Sequence, residues 1–67
     1  MQQGYYFVLT EYKNGRVCIG LNKFDTEQAA QRSKQRRIKK LAGNADVKRV
    51  SVHYQYGMGD VNLKNYV

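Results

Sequence analysis

Two side chains in this sequence have the intrinsic reactivity of a nucleophile and a general base, Cys18 and His53, and they are its only thiol and its only imidazole. A pair of that kind works when its heavy atoms lie about 2.6–3.2 Å apart. Cys18 sits in Val17-Cys18-Ile19 and His53 in Val52-His53-Tyr54, both in segments with the alternation of β-strands. In the strand order derived below, a third strand separates them, so they stand at least about 9 Å apart on an open sheet face. Cys18 is then a small packing residue and His53 a solvated sheet histidine. One Cys with one His completes neither a structural zinc site nor an internal disulfide. The five acids, Glu11, Asp25, Glu27, Asp46 and Asp60, are scattered. Asp25 and Glu27 suit the positive end of a helix, and no acidic pair is left for acid–base or metal chemistry. Gly57-Met58-Gly59 lacks the third glycine of a phosphate loop, Asn62 standing there, and reads as a hairpin turn. The expectation is a protein that is not an enzyme and uses no metal or cofactor.

Charge offers a different chemistry. Twelve Lys and Arg against five Asp and Glu give +7 and a pI near 9.8, which draws the chain toward polyanions. Arg32, Lys34, Arg36, Arg37, Lys39 and Lys40 place half of those cations within nine positions. On a helical wheel of about 100° per residue, Arg32, Arg36 and Lys39 point away from the apolar stripe, with Lys34 and Lys40 flanking and Arg37 snorkelling past it. Such a ridge either tracks phosphates or is a solvated face. A membrane surface is a poorer partner, because the stripe offers no Trp or Phe to insert.

The elements that position these residues follow from pattern. Tyr5 to Tyr12 and Arg16 to Phe24 read as strands joined at Lys13-Asn14-Gly15. A three-residue loop with Gly15 in the left-handed region puts Leu9 opposite Ile19 and Phe7 opposite Leu21, gathering Phe7, Leu9, Val17, Ile19 and Leu21 on one face. Asp25 is a good N-cap with Gln28 as its capping-box partner, and Gly43-Asn44 stops the helix near Ala42. Its buried stripe is Ala30, Ser33, Ile38 and Leu41. Val47 to Tyr56 alternates with Val50, Val52 and Tyr54 inward, and Val61 to Val67 is a fourth strand with Val61 and Leu63 inward. The expected fold is α+β over residues 1–67 as one domain: ββαββ, a four-stranded antiparallel sheet in the order 2-1-3-4 with one helix on one face. A core this small supplies about 3–5 kcal/mol, so association would help it.

The other sheet face should present Tyr6, Thr10, Tyr12, Arg16, Arg49, Ser51, His53 and Tyr66. Tyrosine interleaved with arginine suits stacked bases, a protein interface or plain cross-strand packing, and composition does not rank the three. The candidate binding residues are therefore Arg32, Arg36, Lys39, Lys40 and Lys34 on the helix, with Tyr12, Arg16 and Arg49 on the sheet. A homodimer through the open face is a further way to associate.

In length, in the Met1 start, and in the strand-helix-strand order around Phe24-Asp25-Thr26-Glu27-Gln28-Ala29, the chain resembles small phage-encoded proteins of the host-takeover or anti-CRISPR kind. The resemblance is one of layout over most of the chain and transfers no functional residue. It implies a non-catalytic protein that binds an acidic surface of a host complex as an inhibitor or adaptor. With no apolar leader and no long apolar run, the expected location is the cytoplasm, that of the host if the chain is phage-encoded. The leading expectation is a nucleic-acid-binding module, DNA or RNA, and the phage-type inhibitor is the alternative.

Overall fold

The computed structural model describes residues 3–57 and 59–62. They form an α+β domain of three strands and one helix: β1 (Gly4–Tyr12), β2 (Val17–Ile19), α1 (Glu27–Lys40) and β3 (Val47–Tyr56). The sheet is antiparallel in the order β2-β1-β3. The expected four-stranded sheet in the order 2-1-3-4 is not what forms. Val61 and Asn62, the start of the expected fourth strand, have no strand structure, and its remainder with Leu63 lies outside the described residues.

The hairpin follows its turn chemistry. Gly15 has φ +90°, its N–H donates to the Tyr12 carbonyl, and the Arg16 N–H donates to Asn14 Oδ1. That three-residue loop sets Leu9 opposite Ile19, as expected. The second strand is much shorter than Arg16–Phe24. After the Gly20 N–H donates to the Val8 carbonyl, the chain loops out and returns at Phe24, which exchanges two backbone hydrogen bonds with Tyr6 at 2.9 Å each. Two extra residues in this detour keep the face parity of Phe24 but throw Leu21 into solvent, 99% exposed, instead of opposite Phe7.

Because Phe24 is held in the ladder, the chain needs two more residues to turn before a helix can start. The N-cap is accordingly Thr26 and not Asp25. Thr26 is extended, and its Oγ1 accepts from the Ala29 N–H at 3.2 Å. The helix ends at the Leu41 cap, whose N–H donates to the Arg37 carbonyl at 3.0 Å while the Ala42 N–H donates to the Lys39 carbonyl at 3.3 Å, and so stops short of Ala42.

Face assignment is the main departure from the sequence pattern. Tyr5-Tyr6-Phe7-Val8-Leu9 is apolar on both sides, and β1 is the central strand, so both of its faces are covered. The β1–β3 register pairs Val8 with Val52, Thr10 with Val50 and Phe7 with His53. Even residues of β1 therefore share a face with Val50, Val52 and Tyr54, and this is the face under the helix, where Ala30 is fully buried. Phe7, Leu9, Val17 and Ile19 do gather together, but on the other side. There Tyr5, Phe7 and Leu9 form the buried core cluster, with Val17, Ile19 and Val61 packed against it. Each buried Phe or Leu contributes about 1.5–3 kcal/mol. Tyr5 is fixed there by its hydroxyl, which donates to the Gly59 carbonyl at 2.7 Å, and by Lys23 Nζ, 5.0 Å from its ring centre. At the far end of β1, Gly4 is buried so closely against β3 that a Cβ there would lie 2.2 Å from the Gln55 carbonyl oxygen. On the helix, Ser33 and Leu41 are half-buried as expected, but Ile38 is 41% exposed and Arg37 takes the inward place.

Candidate functional site

The helix lies beside the detour that follows β2, and between them runs a groove of about 530 Å³. Ser33, Arg36, Arg37 and Lys40 line it from one flank of α1, their three- and four-residue spacing stacking them along it. Ile19 to Asn22 form the opposite wall, and Val8 and Thr10 lie between. Thr10 is buried, and its Oγ1 accepts from Arg37 Nε at 3.4 Å, which tethers a half-buried guanidinium at the base of the groove. No carboxylate is among the lining residues. Three cations on less than two turns repel one another. Lys40, with Lys39 beside it, also lies in the last turn, where the helix dipole favours positive charge. The groove thus offers an anion positive charge and the hydroxyls of Ser33 and Thr10.

Of the expected helical residues, Arg36 and Lys40 line this groove, while Arg32 and Lys39 are exposed on the outer flank. Lys34 is half-buried on the other side of the stripe and does not join them. Arg37, expected only to snorkel, is the groove's anchored member. Its wheel position near the stripe concealed this, because a guanidinium reaching a buried hydroxyl looks in sequence like a misplaced charge.

The expected open face does not form. Tyr6, Thr10, Tyr12 and Arg16 belong to the helix side of the sheet, and Arg49, Ser51 and His53 to the opposite side, since the register joins even residues of β1 to even residues of β3. Tyr66 is outside the described residues. Tyr12 and Arg16 line a separate depression of about 460 Å³ with Cys18, Asn14, Asn44 and Asp46. Arg49 is paired with Glu11 through two hydrogen bonds of 3.2 Å, so its charge is largely spent.

Cys18 pairs with Thr10 on the helix side, and His53 pairs with Phe7 on the other, so the sheet itself stands between them. The expected separation is observed; the expected shared face is not. One contact the sequence reading missed is Ser51 Oγ to His53 Nε2 at 2.8 Å, signalled only by two-residue spacing on one strand. The His53 ring also stacks on Phe7, 5.8 Å between centres. Neither Ser51 nor His53 lines the groove. On the same side, burial and then the Asp60 carboxylate push the Tyr5 hydroxyl above its ordinary pKa.

Among the described residues, no three His, Cys, Asp or Glu side chains gather where they could hold a metal ion, and no helix is long and apolar enough to cross a membrane. Comparison of the chain with protein-family models, with curated proteins and with solved structures gives no match.

Proposed function

We propose that this protein is a non-enzymatic binding module that takes the phosphates of a nucleic acid into the groove of Arg36, Arg37 and Lys40, with Arg32 and Lys39 extending the contact along the outer helix. The observation that carries this reading is the groove itself: three cations, one tethered to buried Thr10, with no acid lining it. Phosphate contacts of this kind hold a strand without reading its sequence. Titration with labelled duplex and single strands of several sequences in low salt tests it. Binding of similar strength across sequences is expected, and the absence of binding refutes it.

One feature favours the second reading, an inhibitor or adaptor docking on an acidic protein. Leu21 stands fully exposed at the groove's rim, beside Ile19, and would anchor an apolar side chain that a phosphate backbone lacks. Leu21→Ala should leave nucleic-acid binding within about threefold, whereas a protein partner anchored there would lose at least about tenfold. A pull-down with and without nuclease distinguishes the same two partners.

A further inference from the structure

Past Lys40 the helix side of the sheet holds a second concavity, the depression of about 460 Å³ around Tyr12. It begins where the groove ends. Thr10 lines the groove, its cross-strand partner Cys18 lines the depression, and Tyr12 lies two residues, about 7 Å, farther along β1. Two segments build it: the hairpin, with Asn14, Arg16 and Cys18, and the turn after α1, with Asn44 and Asp46. The Lys13 N–H donates to the Asp46 carbonyl at 2.8 Å and ties the two together. The β1–β3 register slips by one residue at this point, so that Glu11 faces Arg49 but Tyr12 faces Val47. A bulge of this kind re-aims a side chain, and here that side chain is the half-buried tyrosine of the depression.

The chemistry of the depression differs from that of the groove. The groove sets three cations against no acid. The depression sets one cation, Arg16, against one carboxylate, Asp46. It is a poorer place for a phosphate and a better one for an uncharged group that both donates and accepts. Asn14 Oδ1 accepts from the Arg16 N–H and Asn44 Oδ1 from the Asp46 N–H, at 2.9 Å each. With their oxygens so used, the two amides offer their NH2 groups as donors. An aromatic ring, amide and guanidinium donors and one acceptor, a nucleotide's length from a phosphate groove, match a nucleobase, which is flat and edged with acceptors and donors.

We infer that the depression receives one unpaired base of a strand whose phosphates lie in the groove, the base stacked on Tyr12 and its edge met by Asn14, Asn44 and Arg16. This rests on the phosphate reading of the groove and adds to it the state of the strand. A duplex keeps its bases paired and stacked and so engages the groove alone, whereas a single strand can place a base beyond Lys40. Every base has a face to stack, so the lack of sequence preference expected of the groove is kept. Cys18 is a small side chain in the wall of the depression and has no part in the contact.

Fluorescence anisotropy of the full chain with four labelled probes tests it. They are a single DNA strand of about 12 nucleotides, its RNA counterpart, an abasic strand of the same length that keeps sugars and phosphates but no bases, and the DNA duplex. The intact strand, as DNA, RNA or both, is expected to bind at least about fivefold more tightly than the abasic one. Tyr12→Ala should remove that margin and leave the abasic strand and the duplex within about twofold of their binding to the parent protein, which also shows that the variant is folded. Tyr12→Phe should keep the margin. Intact and abasic strands binding the parent protein alike overturn the inference and leave the groove reading standing, whatever the Tyr12 variants do. A margin that persists in a Tyr12→Ala protein still able to bind duplex does the same. If neither the duplex nor the abasic strand binds at low salt, the groove reading fails, and the inference with it.

Discussion

The double replacement Arg36→Gln with Lys40→Gln removes two of the three cations of the groove and spares Arg37, whose bond to Thr10 belongs to the fold. Both side chains are exposed, so stability should move by no more than about 0.5 kcal/mol. If the three groove cations and Arg32 and Lys39 each neutralise one phosphate, log affinity for a duplex falls with log salt at a slope of about −4.5. Raising salt fourfold, from about 50 to about 200 mM, then weakens binding by roughly 500-fold. With Arg37, Arg32 and Lys39 left, the slope becomes about −2.7, and the same change in salt costs only about 40-fold. Fluorescence anisotropy with a labelled duplex at four or five salt concentrations measures both slopes. Lys13→Gln with Lys48→Gln is the control: it removes the same net charge away from the groove and should leave the slope near that of the parent protein. If the control flattens the slope as much as the groove pair does, the protein is a diffuse cation and the site reasoning fails.

Gly4→Ala should destabilise the fold by about 1–3 kcal/mol in urea unfolding, because the new Cβ meets the Gln55 backbone, which has no side-chain freedom with which to yield. Tyr5 carries a pKa raised by burial and by Asp60. Its contribution to stability is fully present below the unfolded tyrosine value near 10 and is lost as pH rises through the folded value; an ultraviolet titration should show a late component that Tyr5→Phe removes, and a titration curve whose late part is unchanged in Tyr5→Phe would contradict the burial of Tyr5. Cys18→Ala should leave binding within about threefold, since Cys18 lies outside the groove and across the sheet from His53.

What could be read from sequence was what local chemistry determines. Asn14 and Gly15 specify the turn, and the turn sets Leu9 against Ile19. The change of period after Phe24 marks the helix, and the wheel finds Arg32, Arg36, Lys39 and Lys40 on its exposed flanks. What could not be read was decided by contacts far apart in the chain. Alternation tells which residues of a strand share a face but not which face of the next strand they join, and β1 is apolar on both sides, so Phe7 and Val8 were equal candidates for the helix. Asp25 and Thr26 are both good caps; the choice between them depends on the Phe24 bridge to Tyr6, which no local pattern reveals. Arg37 gained its place from a hydroxyl 27 residues away.

The central position of β1 also shapes how the chain reaches its fold. Its hairpin with β2 closes over three residues and can form quickly, but it completes neither core, because β1 gains its longer partner only from Val47–Tyr56. Gly4 waits for Tyr56 and Gln3 for Gly57, pairings that span most of the described chain. Long-range closure of that kind slows folding and makes it cooperative. During synthesis, β1 is therefore made well before the strand that covers it, and until β3 emerges its apolar faces stay open to solvent and to other chains.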